Sequence, residues 1–410
     1  PVDGLWLDID YMRGYRVFTF NRKHFPSPRR DLEAINARGY RVVPILDPGV
    51  KQDKGYRAYR SGRRAGVFCR NAAAREFVGH VWPGHTVFPD FSLEKARRWW
   101  ARNVAGMVRM GVGGAWLDMN DPSTGHIECV GMLFEDGTVP HDAYHNQYAM
   151  LMARASREGF LAARPDERPF LLSRSGFTGS QKYCAHWTGD NHSNYHHLRT
   201  CIGKTLNLAL SGIPFNGPDV AGFGDDTTRE LMLDWMKACC LFPFLRNHSC
   251  QGTRRQEPWA FGTKALAVLR RFVRLRYKLL PYLYNLYAAQ EERGEAVLRP
   301  LFYDFRDKAS LPLGCVDDQF MVGPFVMQAP FVAEGAATRT VVLPEGRWYR
   351  TDTASWAKGG RRLTAVKDEQ TTPLFLRDGA VVPMQRGVAA DNRKDLRRVE
   401  LLVAMSPQWR

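Results

Sequence analysis

The sequence predicts an α/β protein: a (β/α)8 TIM barrel that lacks its first strand, followed by an all-β domain. Over the first 300 residues, short apolar runs alternate with helical periodicity, which is typical of parallel strands joined by crossover helices. A polar or charged residue ends nearly every apolar run, as at the carboxyl-terminal face of such barrels. Beyond residue 300 the helical periodicity stops, and Gly/Pro turns separate short apolar runs. We therefore place the barrel at residues 1–300 and a β-sandwich-like C-terminal domain at residues 301–410.

The barrel strands are predicted from apolar runs of strand length. They lie at residues 5–10, 41–46, 114–119, 169–173, 184–189, 213–216 and 241–246. Seven strands are one short of a closed barrel, so we expect the first strand to precede Pro1 in a longer chain. The strands of the all-β domain are predicted at residues 320–324, 330–332, 340–343, 373–376 and 399–403. Whether the sequence is also truncated at Arg410 is left open.

The helices are predicted from apolar residues that recur with the 3.6-residue period. They lie at residues 30–38, 93–110, 141–158, 195–210 and 227–240, and from residue 264 onwards. We expect Ser92 to cap the second helix, and Asp226 or Thr227 to cap the fifth. Residues 50–91 carry glycines and aromatic residues without clear periodicity, so we expect an insertion of small strands and loops there.

Composition excludes several classes of protein. Lysine and arginine number 58 against 42 acidic residues, a formal charge of +16, but the basic residues are scattered in short clusters. We therefore expect no nucleic-acid partner. No uncharged apolar run approaches the roughly 18 residues that a membrane-spanning helix needs, so we expect no membrane partner either.

The eight cysteines form no C-x-x-C pair and no group with zinc-finger spacing. This pattern predicts reduced thiols and favours a cytoplasmic protein. The localisation stays open, because the sequence begins without Met or a signal-like segment.

Charged and polar residues at the predicted strand ends are the candidate functional residues. They are Asp8, Asp47, Asp118, Arg174, Asp190, Asp219 and His248. Acidic residues often end strands as turn formers or helix caps, which explains one or two of them but not a set of this length. Because the strand ends of a barrel share one face, we expect these side chains to converge.

Asp118 and Asp190 fit a reaction that needs two carboxyl groups. Hydrolysis of a glycosidic bond with retention uses two carboxyl groups about 5–5.5 Å apart, one as nucleophile and one as general acid/base. The nucleophile must be ionised, and the acid must begin protonated, a state that partial burial and a neighbouring carboxylate favour. The tryptophans beside both residues fit sugar stacking, although they fit core packing equally well.

Six motifs in order resemble glycoside hydrolase family 31, the α-glucosidase and α-xylosidase family. The motifs are Asp8-Ile9-Asp10-Tyr11-Met12, Val81-Trp82-Pro83-Gly84, Trp116-Leu117-Asp118-Met119-Asn120, Trp187-Thr188-Gly189-Asp190-Asn191, Asp219-Val220-Ala221-Gly222-Phe223 and Arg246-Asn247-His248. The resemblance runs from about residue 5 to residue 383, nearly the whole sequence. One departure stands out: many members have Glu after Asp-Met-Asn, whereas Asp121 occupies that position here.

The resemblance implies that Asp118 is the catalytic nucleophile and Asp190 the general acid/base. It implies a sugar pocket in which Asp8 and Asp47 bind hydroxyls and Arg246 braces the site. The implied substrate-binding residues are Asp8, Ile9, Ile45, Asp47, Trp82, Trp116, Met119, Arg174, Trp187, Phe223, Arg246 and His248. No metal or cofactor is expected: the histidines at 186, 192, 196 and 197 lack metal-ligand spacing. Asp219 is expected to be structural.

We therefore expect a hydrolase, a retaining exo-acting α-glucosidase that releases terminal non-reducing glucose from oligosaccharides. Asp47 favours glucose over xylose, because a polar group there would bind the C6 hydroxyl that xylose lacks. α-Xylosidase, sulfoquinovosidase and α-transglucosylase activities stay open, since loops such as residues 50–91 and 121–140 set the leaving-group specificity. An inactive carbohydrate-binding fragment is the alternative from another class, and the oligomeric state is left open.

Overall fold

The computed structural model describes residues 1–388 and 398–409. It divides into two compact units: the N-terminal unit, Val2–His186, and the C-terminal unit, Trp187–Arg410 together with Pro1. The predicted domain boundary at residue 300 stays a prediction, and the predicted domain 301–410 includes residues outside the described ones.

The N-terminal unit alternates strands and helices as the sequence predicts. Its strands are β1 (Gly4–Leu7), β2 (Arg41–Leu46), β3 (Val50–Lys51), β4 (Gly79–Val81), β5 (Gly84–Val87), β6 (Ala115–Leu117), β7 (Leu171–Ser173) and β8 (Ala185–Trp187), whose last residue begins the C-terminal unit. Its helices are α1 (Pro28–Asn36), α2 (Arg57–Ala65), α3 (Glu94–Arg109) and α4 (His141–Ala163).

A parallel sheet carries the N-terminal unit. β1, β2, β6, β7 and β8 lie in this order, and the register of each pair is parallel. Helices α3 and α4 pack together through large buried aromatic residues, with Trp100 edge-on to Phe91 and Phe91 edge-on to Tyr148. The indole N–H of Trp100 donates to Ser156 Oγ at 2.8 Å, so the buried donor is satisfied. These contacts fix the crossover helices around the sheet.

The insertion at residues 50–91 contains the predicted small strands, which form a three-stranded sheet in the order β3-β5-β4. It also contains α2, which the sequence does not predict. This helix is rich in arginine and buries only Ala58, Tyr59 and Gly62. Its arginines are exposed and its few buried residues lie on the other side, a one-sided pattern that the sequence-based prediction missed. Gly62 lies against Phe68, so close that a Cβ would meet the ring at 2.4 Å.

The C-terminal unit continues the alternation and then becomes a β-rich region. Its first elements are α5 (Tyr195–Leu210), β9 (Asn216–Gly217), β10 (Asp219–Val220), α6 (Arg229–Cys239), β11 (Arg246–Asn247), α7 (Gly262–Lys278), α8 (Leu280–Arg293), β12 (Leu298–Arg299) and α9 (Leu301–Asp304). The strands that follow are β13 (Phe320–Val322), β14 (Val326–Gln328), β15 (Thr338–Leu343), β16 (Arg347–Arg350), β17 (Ser355–Lys358), β18 (Arg361–Val366), β19 (Leu374–Arg377), β20 (Ala380–Gln385) and β21 (Val399–Ala404).

Antiparallel pairing organises the β-rich region. Six strands lie in the order β12-β13-β14-β19-β16-β17, and β15-β18 and β20-β21 form two further ladders. Buried Met321, Met327, Trp348 and Phe375 belong to one core of this region, and residues of β15 contribute to the same core. The prediction of an all-β region after the last barrel helices is therefore confirmed.

Some predicted elements are wrong in detail. The apolar run at 241–246 contributes buried Leu241 and Phe242 but is largely irregular, and only Arg246–Asn247 forms a strand. Residues 330–332 also lie outside any strand, although they are buried apolar residues. Burial, rather than strand pairing, explains the apolar character of both runs.

The predicted helix caps also differ from the observed ones. Thr228 caps α6, with its hydroxyl accepting from Leu231 N at 3.1 Å. Leu93 occupies the cap position of α3, while the Ser92 hydroxyl bonds Asp90 instead. The observed caps lie one residue beyond Ser92 and one residue beyond Thr227.

The helices and the cysteines bear on the expectations about membranes and thiols. Within the described residues, none of the helices combines the length and apolar character needed to cross a bilayer. All eight cysteines are free thiols, and most of them are buried.

Candidate functional site

The register of the N-terminal sheet brings three charged residues into one row. Leu46 pairs with Leu117, and Leu117 pairs with the last residue of β7. The next residues on these three strands are Asp47, Asp118 and Arg174. Parallel strands end at the same edge of a sheet, so these side chains lie together at the carboxyl-terminal face. This is the face at which the sequence predicts the active site.

Asp118 and Arg174 form an ion pair at the centre of this row. Arg174 Nη1 lies 2.8 Å from Asp118 Oδ1, and the side chains are 20% and 13% exposed. The backbone N–H of Met119 donates to the same carboxylate oxygen at 2.7 Å. Met119 has a φ of 53°, a left-handed conformation that is uncommon for a residue with a side chain. A charged donor and a turned backbone thus hold Asp118 in one orientation.

Asp8 and Asp47 add two further carboxyl groups to this face. Asp8 begins a short 3-10 helix and accepts a bond from Ile9 N at 2.7 Å. Asp47 is 4% exposed, and its Oδ1 has no hydrogen-bond donor among the described residues. A buried acceptor without a donor costs free energy unless a ligand supplies one.

Burial raises the pKa of Asp47 well above its ordinary value. The negative charges of Asp118 and Asp8 raise this pKa further, whereas Arg174 and a hydrogen bond from Trp82 act to lower it. Asp47 therefore keeps its proton to higher pH than an exposed aspartate does, and its carboxyl group can donate or accept a hydrogen bond according to its ionisation.

The apolar residues predicted for the pocket separate into core and surface. Ile45 is buried in β2, and its carbonyl accepts from Tyr11 Oη at 2.9 Å. Trp116 is buried in β6 and meets Trp6 edge-to-face with ring centroids 6.2 Å apart. Trp82, between β4 and β5, is 51% exposed and can present its ring to a ligand.

The C-terminal unit contains a second aspartate–arginine pair. Asp219 and Arg246 stand opposite each other in the parallel β10–β11 register. Asp219 Oδ1 lies 2.7 Å from Arg246 Nε, and both side chains are 1% exposed. The Arg246 guanidinium also lies over the ring of Trp187 at 5.2 Å. This buried pair joins the ends of β10 and β11. The structural role expected for Asp219 stays a prediction.

His248 and Phe223 stack in the same unit, with ring centroids 5.3 Å apart and planes 25° apart. Burial, assisted by the charge of Arg246, lowers the pKa of His248 to about 3, so the imidazole is neutral. Asp190 is exposed, whereas the sequence predicts partial burial for it. The adjacent Asn191 is buried and donates to the Asp219 carbonyl at 2.8 Å, which anchors the segment that carries Asp190.

Three polar residues around Arg174 are absent from the sequence-based site. Asp121 and Ser123 accept hydrogen bonds from the Arg174 guanidinium, and Ser175 donates to the Asp121 carboxylate. The sequence gives one signal, the departure at Asp121 from the motif of the related family. The two serines give none, because serine is common and no spacing marks these positions.

The histidines singled out from the sequence have other partners. His186 is buried and shares a hydrogen bond with Ser180 at 2.9 Å, and His192 Nδ1 lies 2.9 Å from Asp225. In the described part of the chain, no group of three or more His, Cys, Asp or Glu residues is arranged to hold a metal ion.

A well-formed apolar cavity of about 570 Å³ lies elsewhere in the C-terminal unit. Its lining includes the buried Phe272, Leu279 and Leu376 together with Arg270 and Arg274. No carboxylate is among its lining residues in the described chain, so it lacks the groups that glycoside chemistry requires. The strand ends are therefore the better candidate.

Comparison with protein families identifies both parts of the chain. Residues 1–286 match the model described as "Glycosyl hydrolases family 31 TIM-barrel domain", and residues 294–382 match "Glycosyl hydrolase family 31 C-terminal domain". These matches confirm the predicted fold class and the resemblance on which the site was predicted.

Individual relatives agree with the family match. Alpha-glucosidase 2 of Bacillus thermoamyloliquefaciens is 40% identical over 389 residues, which cover 94% of this chain and 49% of that protein. The crystal structure of a family 31 alpha-glucosidase from Bacteroides thetaiotaomicron has a TM-score of 0.83 and 36% identity, and covers 100% of this chain and 64% of that one. A Glc1Man2-bound glucosidase II alpha subunit has a TM-score of 0.89 and 28% identity, with coverage of 94% and 43%. The chain spans about half the length of the curated relatives it matches.

Proposed function

Since the chain belongs to glycosyl hydrolase family 31, we propose that the intact protein is a retaining exo-acting α-glucosidase. It would remove terminal non-reducing α-linked glucose from oligosaccharides. The observation that carries the proposal is the Asp118–Arg174 ion pair at the carboxyl-terminal edge of the parallel sheet, flanked by the carboxyl groups of Asp8 and Asp47. Carboxylates beside a fixed arginine provide a charged nucleophile together with acceptors for sugar hydroxyls.

In the proposed first step, an Asp118 oxygen bonds to the anomeric carbon of the terminal glucose. The glycosidic C–O bond breaks, and Asp190 gives its proton to the leaving oxygen. The cation of Arg174, 2.8 Å from Asp118, favours the ionised carboxylate that this attack requires. The exposed position of Asp190 is compatible with proton exchange with water between turnovers.

In the second step, Asp190 takes a proton from a water molecule that attacks the same carbon. The bond between glucose and Asp118 breaks, and glucose leaves with its original α configuration. The meeting of Asp118 and Asp190 across the substrate is part of the proposal. The alternative outcome, transfer of glucose to another sugar, uses the same intermediate with a sugar hydroxyl in place of water.

Asp47 supports glucose as the preferred sugar. Its buried Oδ1 without a donor in the described residues is suited to a hydroxyl that reaches deep into the face. A site that is built to bond a hydroxyl rejects an analogue that lacks it, because the buried polar group is then left unpaired. α-Xylosidase activity would require Asp47 to serve another group.

The test is hydrolysis of p-nitrophenyl α-glucoside and p-nitrophenyl α-xyloside by the intact protein, with NMR of the first sugar released. We expect α-glucose as the first anomer and at least about a 100-fold preference in kcat/KM for the glucoside. Release of β-glucose first would contradict double displacement. A preference for the xyloside would replace the proposed substrate, and transfer products formed from maltose would indicate a transglucosylase.

A further inference from the structure

The backbone around Asp190 determines where this side chain points. The carboxyl group is exposed and has no hydrogen bond or ion pair within the described part of the C-terminal unit. Gly189, directly before it, has a φ of 80°, in the left-handed region that favours glycine. The direction of the Asp190 carboxyl group therefore depends on how the segment that carries it is anchored.

Asn191, the next residue, is the buried anchor of this segment. Its side chain is 6% exposed. Its Nδ2 donates to the Asp219 carbonyl at 2.8 Å, and its Oδ1 accepts from Phe223 N at 3.1 Å. The amide thus uses a donor and an acceptor on the backbone of one turn, residues 219–224. These two bonds fix the orientation of the amide.

The backbone of the same segment also binds this turn. The carbonyl of Asn191 accepts from Phe223 N at 2.8 Å and from Gly224 N at 2.9 Å, and Ser193 N donates to the Gly224 carbonyl at 2.8 Å. The two segments approach closely, since a Cβ on Gly222 would meet Ser193 N at 2.5 Å. Movement of the turn would therefore move the segment as well.

The turn itself is held from a second side. Gln256 is 5% exposed, and its Nε2 donates to the Gly222 carbonyl at 2.9 Å. Asn247, in β11, donates through Nδ2 to the Gln256 carbonyl at 2.7 Å. Phe223 also stacks on His248. Asn191 is thus bound to a turn that has supports of its own.

We propose that Asn191 is a positioning residue that sets the orientation of Asp190 by joining its segment to the 219–224 turn. This inference rests on the proposed function, because it assumes that Asp190 is the general acid/base. Without the amide, the segment keeps its backbone bonds but loses both side-chain bonds, and the Asp190 carboxyl group shifts relative to the leaving oxygen. A misplacement of about 1 Å can lower the rate of a reaction about 100-fold. Asn191 acts through Asp190 and need not touch the sugar.

The test compares two substrates that differ in how much their leaving groups need a proton. Maltose releases a sugar oxygen that must be protonated, whereas α-glucosyl fluoride releases fluoride, a weak base that needs little help. For the intact protein with Asn191→Ala, we expect kcat/KM to fall about 100-fold for maltose and less than about fivefold for the fluoride. The ratio of the two values does not depend on the fraction of the protein that is folded.

A second measurement probes the base that the same carboxylate provides. Azide attacks the glucosyl intermediate without losing a proton: its nitrogen bonds to the anomeric carbon, the bond to the Asp118 oxygen breaks, and α-glucosyl azide leaves. With the fluoride as substrate, the second step limits kcat when the base is misplaced. Sodium azide should therefore raise kcat of Asn191→Ala and leave that of the parent protein nearly unchanged.

A matched control is Asn216→Ala, which removes another buried asparagine of the same unit. Asn216 is fully buried, and its Nδ2 donates to the Ile213 carbonyl at 2.8 Å, in the connection between α5 and β9. We expect this variant to lose stability and to keep the ratio of the two kcat/KM values. Asn191→Ser is a milder second variant, which we expect to change the ratio in the same direction and to a smaller extent.

An equal fall for both substrates, or normal rates for both, in Asn191→Ala that is folded by circular dichroism would overturn the inference. If that variant does not fold, the same ratio for Asn191→Ser decides. Asp190→Ala separates this failure from that of the proposed function. If Asp190→Ala depends on the leaving group and the Asn191 variants do not, only the role of Asn191 is wrong. If Asp190→Ala treats both substrates alike, the general acid is wrong as well.

Discussion

Both units carry an aspartate–arginine pair at the ends of parallel strands, Asp118–Arg174 and Asp219–Arg246, and these two pairs differ in burial. Asp118 and Arg174 lie 2.8 Å apart with side chains 13% and 20% exposed. Asp219 and Arg246 lie 2.7 Å apart with both side chains 1% exposed. The distances are nearly equal, so distance alone does not separate a reactive pair from a structural one.

Burial and sharing of partners make the difference. Asp219 faces Arg246 in register, and both side chains are buried. Replacing either residue by a neutral one would therefore place the charge of the other in a low-dielectric interior without this neighbour. Arg174 divides its fork between Asp118 and Asp121, and the partial exposure of the pair lets a substrate reach it. We infer that the first arrangement stabilises the strand ends, and we assign the second to the proposed reaction.

Breaking the partly exposed Asp118–Arg174 pair should have the largest effect on activity. We expect Asp118→Asn to lower kcat by about 10⁴-fold or more, because the nucleophile is lost. Its stability should change little, since Arg174 keeps Asp121 as a partner and the repulsion with Asp47 is relieved. Stopped assays on the glucoside and thermal denaturation measure the two effects. Near-normal turnover would rule out Asp118 as nucleophile.

Breaking the buried Asp219–Arg246 pair should have the largest effect on stability. Asp219→Asn removes the carboxylate charge that lies 2.7 Å from the buried Arg246 guanidinium, so we expect a loss of about 3–5 kcal/mol in the free energy of unfolding. Urea denaturation of the intact protein measures this loss. The double replacement Asp219→Leu with Arg246→Met should recover much of it, because neither charge is then buried. A single variant as stable as the parent would show that the pair is not a brace.

The sequence predicts some elements to the residue because local and tertiary preferences agree there. Helix α5 has the predicted bounds; Asn194, which accepts from His197 N at 2.8 Å, caps it, and a regular apolar face is buried. Strand β2 also has the predicted bounds, since nearly all of its side chains are buried. By contrast, α2 is not predicted, because its one-sided pattern comes from exposed arginines opposite the small buried residues Ala58 and Gly62 and not from recurring large apolar residues.

The site is predicted to a similar depth. Residues that end parallel strands can be found from the sequence, because strand register places them in one row, as with Asp47 and Asp118. The bonds of Ser123 and Ser175 to Asp121 depend on how two distant loops fold over each other. No periodicity records that geometry, so the support of Arg174 becomes visible only in the structure.

Asp47 tests the comparison between the two pairs further, because it lies beside Asp118 and Arg174 and because its own negative charge is disfavoured. Burial, then the charges of Asp118 and Asp8, raises its pKa, so the folded protein binds this proton more tightly than the unfolded chain does. The resulting stability is present below the ordinary pKa of aspartate and is lost as pH rises through the folded value. Asp47→Asn should therefore raise the stability and the Tm at pH 7, with no gain below the ordinary pKa of aspartate. The same variant should raise KM for the glucoside, because a hydroxyl partner is altered.

Asp53→Asn provides the opposite sign in the same unit. Hydrogen bonding from Arg16 is the first cause that lowers the pKa of Asp53, so its contribution to stability is present at neutral pH and is lost in acid. Replacement should lower Tm slightly at pH 7 and leave it unchanged at low pH. Parallel Tm-against-pH curves for the two variants should diverge at neutral pH and meet in acid. If Asp47→Asn followed the Asp53→Asn curve, Asp47 would be a stabilising anion, and the balance of charges proposed for the open site would be wrong.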